Sequence, residues 1–198
     1  VAIEGHSQPE QHEDFDPEGN VILSEEFNNN SNEWALFEDA DGSIDISNGQ
    51  MVFEVNAERL IYWTTLPGQY EQLVLAAEPQ IINSTGDSDF GFICGYQNAE
   101  NFTALEISED GYYSIWKYED DSYISLVEWT YADVIAAGGA YSLAAYCGPD
   151  RLALAVNDTL LAETVDPNYL PGSVGLVAGC WDNPNLRLGF ESFYILQP

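Results

Sequence analysis

Leu152, Leu154 and Val156 alternate with Ala153 and Ala155; the chain then turns at Asn157-Asp158 and returns through Leu160 and Ala162. A period of two closed by an Asn-Asp pair predicts an antiparallel hairpin. Beyond the breaks at Pro167 and Pro171-Gly172 comes Val174-Gly175-Leu176-Val177-Ala178-Gly179. This apolar run is too short for a helix, and its glycines suit a place where backbones pack closely. Upstream, residues 43–46 and 51–55 flank Asn48-Gly49, the strongest two-residue hairpin signal in the chain. Strands are predicted at 60–63, at 72–78 and at 81–82, followed by a polar turn over 83–89. A meander of 90–96, 102–107 and 112–118 follows, with turns at 97–101 and 108–111. Residues 123–129 continue the sheet, 132–137 can form one short helix before Gly138-Gly139, and 141–147 and 186–196 supply further strands. Many short strands with turns every 8 to 12 residues predict an all-β sandwich of two packed antiparallel sheets.

Residues 1–20 have no period of either kind and are rich in Pro, Gly and acids, so they read as an extended tail on a sandwich domain spanning 21–198. A chain of 198 residues suits one large core.

Composition changes this picture mainly through charge. Arg59, Lys117, Arg151 and Arg187 oppose 34 carboxylates, giving a formal net charge of -30. The 45% hydrophobic content, with 12 Tyr, 9 Phe and 5 Trp, keeps the chain among folded proteins. Nucleic acid and anionic membranes are excluded as natural partners, because binding them requires many Lys and Arg side chains. Cations are the expected counterpart. Asp39, Asp41 and Asp45 around Gly42 are candidate calcium ligands, and Asp87 and Asp89 form a second cluster. The first set lacks the closing Glu of the twelve-residue EF-hand pattern, and an acidic hairpin loop is the competing explanation. Val1 in place of a start Met, with no apolar run of membrane-spanning length, fits an exported product without membrane insertion, placed outside the cell or on its surface. Sequons at Asn29, Asn83, Asn101 and Asn157 fall at predicted turns, where a glycan is tolerated and where Asn also occurs for conformational reasons alone.

Cys147, Leu152, Leu154, Val156-Asn157, Leu161, Asp166, Gly172, Val174-Gly175-Leu176, Ala178-Gly179 and the closing Phe190-Glu191-Ser192-Phe193 together resemble the last strands of laminin-G-like, concanavalin A-like jelly rolls of secreted bacterial proteins. The meander resembles that family's central pattern, with Tyr112-Tyr113, Ile115 and Lys117, although Gly95 stands where the family usually has a basic residue. Glu25-Glu26-Phe27 and Trp34 resemble its opening strand, so the likeness spans about 21–198. Asp158 replaces a turn Gly and Glu191-Ser192 an Asp-Asn pair, departures that bear on any ligand role of the closing strand. The resemblance implies a concanavalin A-like jelly roll and pairs Cys94 with Cys147. It leaves Cys180 as a buried thiol or an intermolecular link.

Both histidines, His6 and His12, lie in the tail, so the sandwich has no imidazole for a Ser-His or Cys-His nucleophile. The E-x-D-x-x-E strand motif of concanavalin A-like glucanases is absent. The nearest acidic set is Glu106, Glu109 and Asp110 across a turn, and a non-catalytic role is expected. Related domains include keto-disaccharide hydrolases, which leaves glycoside processing as a lesser alternative. Two functions remain. The first is a structural protein assembling into a surface filament or layer, in which Val1, Ala2 and Ile3 add to an exposed sheet edge of another copy. Subunits of such charge repel, so assembly would need cations at the junctions or a short Debye length. The other is a carbohydrate-binding module for a polysaccharide, with Trp116, Tyr118, Tyr123 and Trp129 stacking on sugar faces; core packing is the competing use of each ring.

Overall fold

A computed structural model describes residues 20–136 and 140–198. The proposed assembly residues Val1, Ala2 and Ile3, like His6 and His12, lie outside the described residues. Among those described, fifteen strands and one four-residue helix form two antiparallel sheets. The first sheet runs in the order β13 (Thr159–Thr164), β12 (Leu152–Val156), β11 (Leu143–Cys147), β6 (Leu73–Asn83), β15 (Leu186–Gln197), β4 (Gln50–Val55), β3 (Gly42–Ser47) and β2 (Phe37–Glu38). The opening strand β1 (Asn20–Glu25) pairs with the second half of β15. The second sheet runs β10 (Ser122–Tyr131), β9 (Tyr112–Glu119), β8 (Asn101–Ser108), β7 (Ser88–Asn98), β14 (Gly172–Cys180) and β5 (Leu60–Tyr70).

The turn chemistry closes these hairpins as expected. Asn157 and Asp158 have φ of 49° and 61°, and Asn48 and Gly49 have 53° and 74°. Positive φ at both central residues gives the mirror-image turn whose twist matches that of the strands it joins. The expected helix is present as α1 (Asp133–Ala136). Ile81-Ile82 is not a separate strand: β6 runs through Pro79, which lies opposite Phe190 beside a register irregularity, where a ladder tolerates a residue without an N–H.

One apolar core fills the space between the sheets. Phe90, Phe92 and Cys94 alternate inward from β7 to meet Phe53, Phe190 and Phe193 of the facing sheet. Cys94 and Cys147 form a disulfide across the core, joining β7 to β11 over a separation of 53 residues. Cys180 is a buried free thiol. Lys117 is also drawn inward, where its ammonium donates to both carboxylate oxygens of buried Asp166, at 3.1 and 3.0 Å, and pairs with Glu119. Burial alone would lower the Lys117 pKa, but the hydrogen bonds to Glu119 and Asp166 more than offset this and hold it above its ordinary value. Gly95 has φ +59°, and an added Cβ would lie 2.6 Å from the Leu170 carbonyl oxygen. A larger residue is therefore excluded by the close approach of the 169–170 segment, which accounts for the missing basic side chain.

The acidic stretch 38–45 works as a hairpin connection. Asp39 Oδ1 accepts from the backbone N–H groups of Asp41 and Gly42 and from the Tyr62 hydroxyl at 2.6 Å. These bonds, that of Tyr62 foremost, lower the Asp39 pKa. Asp45 is exposed on β3 and caps the N–H of Ile46. Among the described residues no group of three or more His, Cys, Asp or Glu side chains is placed to hold a metal ion. Of the sequons, Asn29, Asn83 and Asn157 are exposed and Asn101 is half-buried, with Asn101 Oδ1 accepting from the N–H of Asp120 and Asn157 Oδ1 from that of Ser142.

Candidate functional site

Strand alternation that sends Phe90, Phe92 and Cys94 into the core sends Asp89, Gly91 and Ile93 to the outer face of the second sheet. Cross-strand register sets their neighbours. Asp89 lies opposite Ser108 and Gly179; Glu106 lies opposite Gly91 and Ser114; Trp116 lies opposite Ala104 and Ser125; and Tyr118 lies opposite Phe102 and Tyr123. Phe102 is the centre of a second, smaller apolar cluster here, its ring centroid 5.3 to 6.0 Å from those of Trp63, Trp116, Tyr118 and Tyr96.

At one end of this cluster two neighbouring pockets, of about 310 and 170 Å³, share Trp129 of β10 and Trp181, which follows β14. Ser108, Asp110 and Tyr112 help to line the larger. The smaller is closed by Asp89, Glu106, Trp116, Tyr118 and Tyr123, with Arg59 at its rim. The four aromatic residues singled out in the sequence therefore converge: Trp116, Tyr118, Tyr123 and Trp129 all line one pocket. Their exposure differs widely, from 5% for Trp116 to 51% for Tyr123, because the Trp116 ring lies on Phe102 whereas Tyr123 stands on an edge strand.

Asp87 and Asp89, read above as a cation cluster, do different work. Asp87 Oδ2 accepts from the backbone N–H groups of Asp182 and Asn183 at 2.7 and 3.0 Å, anchoring the segment that carries Trp181. Asp89 belongs to β7 rather than to the preceding turn and is 1% exposed; its Oδ2 accepts from the Trp181 indole N–H at 2.6 Å. Gly179 makes room for it, since a Cβ there would meet Asp89 Oδ1 at 2.6 Å. Glu106, equally buried, accepts from the Trp116 indole N–H through Oε2. Asp89 Oδ1 and Glu106 Oε1 have no protein hydrogen-bond partner. Burial pushes the Asp89 carboxyl up to about 6, against the pull of the Trp181 bond. Burial, reinforced by the charge of Asp89, pushes Glu106 well above the ordinary carboxylate range. Glu106 and Trp181 were not among the binding residues expected from the sequence. Glu106 sits in a strand buried on both faces, where alternation gives no contrast, and Trp181 follows the strand end, where only long-range pairing places it.

No protein-family model matches this chain, and no curated protein sequence does. Solved structures do resemble it. The carbohydrate-binding module CBM66 from Bacillus subtilis superposes with a TM-score of 0.67 at 14% identity, over 83% of this chain and 95% of that one. The β-glucanase of Bacillus licheniformis gives 0.64 at 11% identity, over 91% and 100%. A Bacteroides ovatus GH16 protein of a mixed-linkage glucan locus, in complex with a G4G4G3G product, gives 0.62 at 11% identity, over 89% and 100%. At such identities the likeness shows the fold, a concanavalin A-like jelly roll.

Proposed function

We propose that this domain is a non-catalytic polysaccharide-binding module of an exported protein, and that the paired pockets on the outer face of the second sheet hold the glycan. The observation that carries this function is the convergence of five aromatic side chains, those of Trp116, Tyr118, Tyr123, Trp129 and Trp181, around two carboxyls. Rings stack on the apolar faces of sugars, while carboxyl oxygens fix hydroxyl positions. The neighbouring structures titled as a carbohydrate-binding module and as a β-glucanase lend support, and the disulfide suits an oxidising compartment.

The test is affinity electrophoresis against mixed-linkage β-glucan, xylan, galactan and chitosan, followed by calorimetry on any polysaccharide that retards migration. At least one is expected to bind, and Trp181→Ala, which removes one of the two rings shared by both pockets, should weaken binding about tenfold or more. Absence of retardation by every polysaccharide overturns the proposal. A second function has one specific observation in its favour: two buried carboxyls with raised pKa on adjacent strands can supply a general acid and its partner. Reducing ends released from the bound polysaccharide by the wild type and lost in Glu106→Gln would replace binding with hydrolysis.

A further inference from the structure

We infer that the smaller pocket selects sugars bearing a free, protonated amino group over neutral or N-acetylated ones, a specificity that rests on the polysaccharide-binding function proposed above. Asp89 and Glu106 both line this pocket, are each 1% exposed, and each retain one carboxyl oxygen without a protein partner. Indole N–H groups occupy the other two oxygens, so the pair is held in place without a countercharge from the protein.

The chain has only four Lys and Arg side chains, and none of them bonds Asp89 or Glu106. Arg59 at the pocket rim bonds Asp182 through Nε and Nη2, at 3.3 and 3.1 Å. Lys117 is turned to the opposite face of β9, with Asp166. Arg151 pairs with Glu163, and Arg187 with Glu54. Among the described residues no cationic side chain is left to offset the two pocket carboxyls.

A ligand hydroxyl can accept or donate a hydrogen bond there, but it brings no compensating charge. An ammonium brings three donors and a positive charge. The rings of Trp116 and Trp181 at the same place present faces that attract cations. Asp87 and Asp110 in the adjoining pocket repel a uronic acid and favour an amine in the neighbouring sugar as well. The ligand class that satisfies all of these groups is an oligosaccharide of hexosamine units with unsubstituted amines.

The decisive experiment is calorimetric titration of the protein with glucosamine oligosaccharides and with their fully N-acetylated counterparts of the same length and linkage. It should be run at a pH where the amine is protonated and at high ionic strength, so that attraction by the overall charge is screened. The wild type should bind the free-amine form at least about tenfold more tightly. In the double variant Asp89→Asn, Glu106→Gln, confirmed as folded by a cooperative melt, the ratio of the two affinities should fall to about one. Equal or weaker binding of the amine form by the wild type overturns the inference, as does a preference that survives in the double variant. Binding of β-glucan or xylan with no amine preference defeats amine selection and leaves polysaccharide binding standing, whereas failure of every glycan defeats both. Should the double variant not fold, the single variants Asp89→Asn and Glu106→Gln carry the test, each expected to lower the ratio severalfold, and an unchanged ratio in both again overturns the inference.

Discussion

Replacing Cys94 and Cys147 together by alanine is expected to lower the melting temperature by about 8–16 °C. The bridge closes a long loop, with 53 residues separating its ends, and constraining a loop of that order in the unfolded chain stabilises the fold by roughly 4 kcal/mol in the chain-entropy model. Each kcal/mol corresponds to about 2–4 °C for a domain of this size. The bridge ties together the inward faces of two different sheets, and both cysteines are completely buried. Differential scanning calorimetry of the wild type, the double variant and the reduced wild type measures the effect. A variant that melts within about 2 °C of the wild type would show that the sheets are held by packing alone.

Asp89→Asn should have the opposite sign, raising the melting temperature by about 4–12 °C at pH 8 and by about half as much at pH 5. The folded-state pKa of Asp89 is about 6, above the ordinary value of 3.8, so the native state binds its proton more tightly than the unfolded chain does. Stability associated with this group is fully present below pH about 4 and is lost as pH rises through 6. Two pKa units correspond to an effect on the order of 2–3 kcal/mol, which the neutral amide removes while its oxygen still accepts from the Trp181 indole. Glu106→Gln should behave in the same way, because its shift has the same direction. Melting curves of wild type and variants at pH 5 and pH 8 separate this cause from general relief of repulsion among 34 carboxylates, which a single substitution barely changes. Equal shifts at both pH values, or a loss of stability at pH 8, would contradict the burial of a costly charge. A substitution that strengthens the fold while weakening glycan binding is the behaviour of a group retained for function.

Much of the fold is legible in the sequence because its signals are local. The Asn48-Gly49 and Asn157-Asp158 turns, the alternation of β12 and the polar turns of the meander each act over a few residues, and the structure follows them. Cys94 with Cys147 required the family pattern, and Lys117 with Asp166 was not read from the sequence at all, because nothing near any of these residues in sequence designates its partner. The site divides along the same line. The four rings on β9 and β10 are visible as an aromatic excess, but Asp89 reads as the end of an acidic turn. Its burial depends on Gly179 and Trp181, about ninety residues away, which close over it only when β14 pairs with β7. The continuity of β6 was misjudged for a related reason: a proline is a local cue that sheet pairing overrides.

Tyr123 and Trp129 are carried by β10, the outermost strand of its sheet, and none of its ten residues is fully buried. Its ladder with β9 slips twice, between Ser125 and Val127 and between Val127 and Thr130. The wall of the cleft is thus built on an exposed edge of the sandwich. Residues there can be exchanged, and the strand reshaped, at little cost to the stability of the domain. If the proposed glycan binding holds, such an arrangement would separate evolution of ligand preference from maintenance of the scaffold: the carboxyls and Trp116 would fix where a sugar is held, while drift along one peripheral strand could redefine which sugars fit.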